Sequence, residues 1–167
     1  MKLEEAQQHY IQTWGSLATH WGVSKTMAQV HALLLISEEP LSAEDIMEKL
    51  MISRGNVNMN VRGLIDWGIV SKTFVPGERK EFFIAEKDIW EVFKQITKER
   101  KKREIEPVLK TLNDLKNIEG NDEEAEHFKT RMNDIIKVTE TVNAILDKSI
   151  KADEHWLLSN ITKMVKK

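Results

Sequence analysis

Residues 42–68 read SAEDIMEKLMISRGNVNMNVRGLIDWG, and their pattern gives the strongest indication of the fold. Ser42, with an acid three residues later, has the pattern of a capping box and predicts the start of a short helix. Ser53 is placed to cap a second helix, and Gly68 supplies its stop. Met51-Ile52 lies between the two helices and leaves room only for a tight turn. Two short helices joined in this way are the pattern of a helix-turn-helix.

Two further helices are predicted before this stretch. The first carries apolar residues at intervals of three and four and ends at Gly22. Ser24 is placed to cap the second, which ends before the break at Glu38-Glu39-Pro40. One stripe of the first helix is large and aromatic, and it consists of Leu3, Ala6, Tyr10, Trp14, Leu17 and Trp21.

A hairpin is predicted after Gly68. Residues 69–75 are rich in β-branched side chains, and residues 80–84 form a second extended stretch. The turn between them, Pro76-Gly77-Glu78-Arg79, places charge at the tip of the hairpin. Taken in chain order, these elements predict a mainly α fold, a winged helix-turn-helix with a small two-stranded wing.

Helical periodicity resumes at Asp88, and the residues expected to point inward are Trp90, Phe93 and Ile96. Pro107 is expected to kink or restart this helix because it lacks an amide hydrogen. A long helix is predicted to begin near Asp122, and a last helix to follow Asp153. The long helix carries a stripe typical of helices that pack lengthwise, formed by Phe128, Met132, Ile135, Thr139, Val142, Leu146 and Ile150.

The outer face of the second helix of the helix-turn-helix is where we expect DNA to be read. The stripe expected to be buried is Val57, Val61, Leu64 and Ile65. The residues that then point outward or towards the edge are Gly55, Asn56, Asn58, Met59, Arg62 and Gly63. Asparagine pairs with adenine, and arginine with guanine or phosphate, while Arg54 lies where a phosphate meets a helix N-terminus. An asparagine-rich helix also suits an ordinary solvated surface, but its poor helix formers favour DNA readout.

The charge distribution agrees with this position for a DNA-binding surface. The 167 residues carry a net charge of −2, with 41% hydrophobic and 31% charged residues, which predicts a globular protein with a core. Residues 51–110 hold 13 basic and nine acidic residues and are therefore net positive. Residues 1–50 hold three basic and seven acidic residues, and residues 111–167 hold nine basic and 11 acidic residues, so both flanks are net negative. The basic middle includes the hairpin tip, where Arg79 and Lys80 are placed to reach phosphates or the minor groove.

Cysteine is absent, which excludes disulfides, thiolate metal sites and cysteine nucleophiles and fits a reducing cytoplasm. The first residues lack the apolar core of a signal peptide, and no apolar run approaches the roughly 18 residues of a membrane span. We therefore expect a cytoplasmic protein without a membrane partner.

Neither a metal site nor an enzyme is predicted, and no cofactor is expected. The sequence has no phosphate-binding glycine loop, no nucleophile elbow and no His-Glu-x-x-His pattern. No two histidines have the four-residue spacing that places ligands on adjacent helical turns, the five being His9, His20, His31, His127 and His155.

Four quoted segments resemble the GbsR branch of the MarR-type transcriptional regulators: ISRGNVNMNVR at 52–62, LIDWGIV at 64–70, PGERKEFF at 76–83 and AEKDIW at 85–90. The resemblance covers roughly residues 10–115. It implies a homodimer whose terminal helices form the interface and whose recognition helices and wings read a pseudo-palindromic operator. The DNA-contacting positions that it implies are Ser53, Arg54, Gly55, Asn56, Asn58, Met59 and Arg62, with Arg79 in the wing. Many MarR-type wings have Asp-x-Arg, whereas this chain has Gly77 at the aspartate position.

The resemblance and the patterns together predict three regions. Residues 1–22 form an N-terminal dimerisation helix, residues 23–87 the winged helix-turn-helix, and residues 88–167 a C-terminal helical dimerisation region. The expected function is a homodimeric, DNA-binding transcriptional regulator, expected to be a repressor. The alternative is a winged-helix module that binds a protein through the same face.

An effector is not assigned. Regulators that resemble GbsR include choline sensors with aromatic cages, and this chain has five tryptophans. A quaternary ammonium ion prefers tryptophan faces. All five tryptophans, however, lie beside apolar stripe positions, so core packing or dimer contact also explains them. A small-molecule effector is therefore left open and its site unknown.

Overall fold

The computed structural model describes residues 1–120 and 122–152. The helices are α1 (Leu3–His20), α2 (Lys25–Ile36), α3 (Ala43–Leu50), α4 (Arg54–Asp66), α5 (Ile89–Arg100), α6 (Glu106–Leu115) and α7 (Glu123–Lys151). The strands are β1 (Leu41–Ser42), β2 (Val70–Thr73) and β3 (Phe82–Ala85). The chain divides into two compact units, Met1–Val92 and a second unit that begins at Phe93. The first unit thus holds α1 together with the winged helix-turn-helix.

The helix starts follow from local hydrogen bonding, as predicted. Ser24, Ser42 and Ser53 each accept a hydrogen bond from the backbone amide three residues later, at 3.4, 3.2 and 3.3 Å. Asp122 does the same at 2.8 Å for α7. Hydrogen bonds from the Ser42 side chain and amide hold the pKa of Asp45 below its ordinary value. These four caps confirm the predicted helix starts.

α2 is the central helix of the first unit because it is apolar on nearly every face. It packs against α1, α4 and β3. Its buried residues are Ala28, Val30, His31, Ala32, Leu33 and Leu34. The deepest side chains of the neighbouring elements, Ile46, Val57, Leu64 and Ile69, complete this core. A histidine in the middle of the apolar set was not predicted, since periodicity alone does not distinguish it from a surface residue.

The wing hairpin is present, and a third strand extends it. β2 and β3 pair antiparallel, with Val70 opposite Ala85. β1 pairs with the other edge of β3, so the sheet order is β1-β3-β2 rather than a two-stranded wing alone. β1 is only two residues long and forms through a distant partner, which is why no local pattern predicts it.

The face of α1 that packs against α2 differs from its large apolar stripe. The buried residues of α1 are Ile11, Gly15 and Ala18. Gly15 permits the close approach, because an added Cβ would lie 2.6 Å from Gln29 Cγ. The stripe predicted from spacing is left half-buried or exposed, with Trp21 57% and Leu17 47% exposed. The stripe is thus available to a contact beyond the core of the first unit.

The chain from α5 to α6 is continuous through a π-helical segment, Lys101–Ile105. Pro107 lies in the first turn of α6, directly after the π-helical segment. The chain therefore stays helical across the predicted kink or restart, and the wider π turn accommodates the missing amide. The predicted inward set of α5 is wrong at Phe93, which is 40% exposed, whereas Val92 is buried.

α7 packs on α6 and on the π-helical segment. Lys101 Nζ lies 2.8 Å from Asp147 Oδ1, and this hydrogen bond raises the pKa of Lys101. The predicted stripe of α7 is mixed: Met132, Thr139, Leu146 and Ile150 are half-buried, and Phe128, Ile135 and Val142 are exposed. Val138 and Ile145 extend this exposed apolar face. The helix predicted after Asp153 lies outside the described residues.

Candidate nucleic-acid interface

The start of α4 is fixed by a tight turn and a serine cap. Met51 follows α3 with a positive φ of 53°, and the Ile52 amide donates to the Met47 carbonyl at 3.2 Å. Ser53 Oγ accepts from the Asn56 amide at 3.3 Å, so it satisfies one of the free amides at the helix start. The first turn of α4 contains no acidic residue. This helix end therefore offers a phosphate both open amides and the positive end of the helix dipole.

The buried side of α4 determines which residues face outward. Val57, Val61 and Leu64 are each no more than 2% exposed. They lie on the side of α4 that packs against α2 and α3. The residues predicted to face outward are exposed, namely Ser53, Arg54, Gly55, Asn56, Asn58, Met59 and Arg62. Amide and guanidinium groups are the side chains that pair with base edges in the major groove, so this row has the chemistry of a recognition helix.

Two positions of α4 differ from the prediction, and a third, Asn60, was not assigned to either face. Gly63 is half-buried, because Met27 of α2 approaches so closely that an added Cβ would lie 3.2 Å from Met27 Cε. Ile65 is half-buried rather than buried. Asn60 is 4% exposed, and its Nδ2 donates to the Asn56 carbonyl at 2.7 Å. Two of the three asparagines in this helix therefore remain on the exposed face.

Arg54 forms an ion pair with Glu44 of α3. The two side chains are 62% and 49% exposed, so the pair contributes little to stability, about 0–1 kcal/mol. Glu44 was not predicted to lie at this site, because no spacing rule connects α3 with the first turn of α4. A phosphate that reaches this end of α4 has to replace Glu44 as the partner of Arg54.

The tip of the wing carries its two predicted cations at the surface. The turn is closed by a hydrogen bond from the Glu78 amide to the Val75 carbonyl at 3.1 Å. Gly77 has a φ of 87°, a conformation that other residues rarely adopt. Arg79 and Lys80 follow on the returning side, and both are exposed. The tip can therefore present positive charge without a rearrangement of the hairpin.

Lys80 and Arg79 differ in the contacts that their charged groups make. Lys80 Nζ lies 5.3 Å from the centre of the Phe82 ring, a cation–π distance. Within residues 1–120 and 122–152, Arg79 has no ion-pair or hydrogen-bond partner. Gly77, at the position where the resemblance implies aspartate, supplies no carboxylate to orient it. This agrees with the departure noted from the sequence.

Lys87 connects the segment after the wing to the end of α2, and sequence reasoning missed it. Its Nζ donates to the carbonyls of Leu34, Leu35 and Ser37 at 2.8, 2.9 and 2.6 Å. The last carbonyls of a helix carry partial negative charge, which a lysine stabilises. Burial lowers the pKa of Lys87. No local pattern reveals the contact, because 50 to 53 residues separate the partners.

An open groove of about 940 Å³ lies between the start of α1, the end of α2 and α3. Ile11 and Leu33 contribute its buried apolar residues. Its carboxylates are Glu4, Glu38, Glu39, Asp45 and Glu48. The residues that line it, all between 3 and 51, include no aromatic side chain, so this groove is not an aromatic cage.

The tryptophans and histidines are dispersed in the part of the chain that the structure describes. Of the tryptophans described, Trp21 is exposed, and the half-buried ones are Trp14, Trp67 and Trp90. The Tyr10 and Trp14 rings lie in a tilted arrangement with their centres 5.9 Å apart, and burial raises the pKa of Tyr10. Across residues 1–120 and 122–152, no three acidic or histidine side chains are grouped as metal ligands. His155 and Trp156 lie outside this part.

None of the described helices is both long enough and apolar enough to cross a membrane. A solved structure described as "Crystal Structure of a transcriptional regulator" has a TM-score of 0.67 to this chain at 15% identity. The match covers 87% of this chain and 96% of that one. At this identity it supports the fold, a mainly helical winged helix-turn-helix, and nothing further.

The sequence comparisons find relatives of the winged region. The chain is 25% identical over 104 residues to the HTH-type transcriptional repressor GbsR of Bacillus subtilis (strain 168), covering 62% of this chain and 57% of GbsR. It is 25% identical over 91 residues to the repressor OpcR of the same strain, covering 54% and 49%. The chain spans about half the length of the curated relatives it matches. Residues 17–81 match the MarR family model, so the winged helix-turn-helix of this chain is similar to that family.

Proposed function

We propose that the chain is a sequence-specific transcriptional regulator that binds double-stranded DNA as a homodimer and represses its targets. The observation that carries this proposal is the exposed polar face of α4, held in place by a fully buried opposite face. Two relatives, GbsR and OpcR, are described as transcriptional repressors, which supports repression rather than activation. No reaction is part of the proposal.

In this proposal α4 enters the major groove. Asn58 and Arg62 contact base edges, since a bidentate amide or guanidinium pair discriminates by about 1–3 kcal/mol against a wrong base. Ser53 and Arg54 contact phosphate at the N-terminus of α4, and Gly55 and Asn56 allow the backbone to come close. Arg79 and Lys80 of the wing contact the flanking backbone or minor groove.

The second copy is proposed to cover apolar surface that each unit leaves open. α7 exposes Val138 at 65% and Ile145 at 57%, on one stripe with Ile135 and Val142. α1 separately exposes its own stripe, including Trp21. Apolar stripes of this kind mark protein interfaces, and closed two-fold dimers are the commonest solution. A two-fold dimer reads two related half-sites, so the operator is expected to be pseudo-palindromic.

Binding is tested first on wild-type protein. Duplexes selected from a random library are titrated against a scrambled duplex of the same composition. We expect a specificity ratio of about 10³ or more, and binding that weakens steeply with salt. No preference over scrambled DNA would contradict the proposal and favour the alternative, in which the face of α4 binds a protein.

The wing is tested with Arg79→Ala. Because a phosphate contact is lost, affinity should fall for every sequence and the salt slope should decrease by about one. Arg131→Ala removes the same charge from α7 and should leave both quantities unchanged. An unaltered salt slope in Arg79→Ala would remove the wing from the proposed interface.

The dimer is tested by gel filtration with light scattering. Val138→Glu and Ile145→Glu place a charge in the exposed stripe and should shift the protein to monomer. Ala144→Glu, at an exposed position on another side of α7, should remain a dimer. A wild-type protein that is monomeric at micromolar concentration would contradict the proposed assembly.

A further inference from the structure

The wing exposes a phenylalanine that the fold does not use. Phe74 directly follows β2 and is 83% exposed, the most exposed aromatic side chain in residues 1–120 and 122–152. Phe82 and Phe83, on the neighbouring strand, are buried at 7% and 5%. Exposing an aromatic ring of this size leaves a large apolar area in water. The part of the chain that the structure describes does not cover this ring, which is therefore open to a partner.

The surroundings of Phe74 indicate the kind of partner. Lys72 lies two residues before it, and Lys72 Nζ is 2.7 Å from Glu81 Oε1 on the returning side of the hairpin. Arg79 and Lys80 lie at the same tip and are exposed. An apolar ring beside unpaired positive charge matches a partner with apolar faces and negative edges. Stacked bases between phosphate backbones have this combination.

We propose that Phe74 is an apolar wedge that enters the minor groove next to α4 and partly unstacks one base step. This inference rests on the proposed DNA-binding function and adds a residue and a DNA distortion to it. Phenylalanine wedges between base steps kink the duplex towards the major groove. The unstacking cost is offset by the contact of the ring with the bases and by the contacts that the bent duplex makes with the wing cations.

The wedge gives a role to Phe74 that arginine and lysine cannot fill. Arg79 and Lys80 neutralise phosphates whatever the sequence, whereas a wedge favours steps that unstack easily, such as TA or CA/TG. The wing therefore contributes sequence preference at steps that no hydrogen bond reads. The selected operators should carry a flexible pyrimidine–purine step on each outer flank of the half-sites.

The experiment uses the full chain and a selected duplex with 2-aminopurine at successive flanking positions. Wild-type protein should brighten the probe at one step, because unstacking relieves its quenching. Phe74→Ala should bind about tenfold more weakly, a loss within the range measured for base–aromatic contacts, and should not brighten the probe. Phe74→Leu, which keeps an apolar wedge, should retain the signal.

A second exposed apolar side chain, outside the wing, serves as the control. Ile89→Ala removes a side chain that is 62% exposed but lies outside the helix-turn-helix and wing, and it should change neither affinity nor fluorescence. If Phe74→Ala binds and brightens the probe like wild type, the wedge is wrong while DNA binding stands. If Phe74→Ala instead changes the oligomeric state in light scattering, Phe74 contacts a second copy and the wedge is also wrong. If wild-type protein prefers no duplex, the proposed function fails before the wedge is reached.

Discussion

The buried histidine of α2 makes the stability of the first unit depend on pH. His31 is 3% exposed, and its Nε2 is buried without a hydrogen-bond partner among the described residues. Burial, together with the positive charge of Lys87, lowers the pKa of His31 from 6.5 to about 4. The native protein therefore keeps this imidazole neutral at pH values where an unfolded chain protonates it.

The size of the effect follows from proton linkage. Above pH 6.5 neither state binds a proton at His31, so its contribution to stability does not change. As the pH falls below 6.5, the unfolded chain takes up a proton that the native state rejects, and stability is lost at about 1.4 kcal/mol per pH unit. The loss reaches about 2 kcal/mol at pH 5 and about 3 kcal/mol near pH 4, where the native imidazole protonates as well.

Urea unfolding between pH 7.5 and 5 measures this loss. Keeping the pH at 5 or above limits the contribution of carboxyl groups such as Asp45, whose pKa lies below its ordinary value. His31→Leu and His31→Gln both remove the titrating group, so both should lose about 2 kcal/mol less than wild type between pH 6.5 and 5. His31→Leu should in addition be the more stable of the two at pH 7.5, because it leaves no buried polar atom without a partner.

The pH dependence of wild type and of the two variants is compared directly. If wild type and both variants lose stability equally between pH 6.5 and 5, His31 is protonated in the native state and its burial does not exclude the charge. Circular dichroism at pH 7.5 establishes that each variant keeps the helical fold before the slopes are compared.

Substitutions at three further positions test local features of the fold and of the DNA-binding face. Lys87→Met removes the donor to three carbonyls at the end of α2 and should lower the free energy of unfolding by about 1–2 kcal/mol; unchanged urea midpoints would show that water replaces the lysine without loss. Ser53→Ala should lower the free energy of unfolding by about 1 kcal/mol, because the cap of α4 is lost. Ser53→Asp should keep the cap but weaken DNA binding, because its carboxylate repels phosphate. If Ser53→Asp binds DNA as tightly as wild type, no phosphate lies at this helix end. Gly15→Leu should destabilise by about 1–3 kcal/mol through overpacking against α2, as thermal unfolding measures, and a neutral result would mean that the side chains around Gln29 move aside freely.

Local chemistry made much of the fold predictable. The serine caps of α2, α3 and α4 and the glycine after α4 act within a few residues, so their effect can be read from the sequence. The outward face of α4 was equally predictable, because three strongly apolar residues fix the rotation of the helix. Contacts between distant segments were not predictable. β1 exists only because it pairs with β3, and Lys87 finds its carbonyls 50 to 53 residues away.

The errors have a related origin. Gly63 was expected to face outward, yet it is half-buried against Met27 of α2. The stripe of α1 was identified correctly as apolar, but the face that packs against α2 is a smaller one that includes Gly15. Small residues carry little weight in a hydrophobic pattern, although they allow the closest helix packing. In the wing, the exposure of Phe74 depends on where β2 ends, which the run of β-branched residues overestimated.

Base reading by the outer face of α4 is tested by comparing the duplexes that wild type and a variant of this face select. Selection from a random duplex library is carried out in parallel with wild-type protein and Asn58→Ala, and the recovered sequences are compared. The account predicts that the variant keeps the half-site spacing and most of the consensus but loses preference at one position of each half-site, with about 1–3 kcal/mol of discrimination removed there. An unchanged consensus at every position would contradict it, because Asn58 would then contact no base.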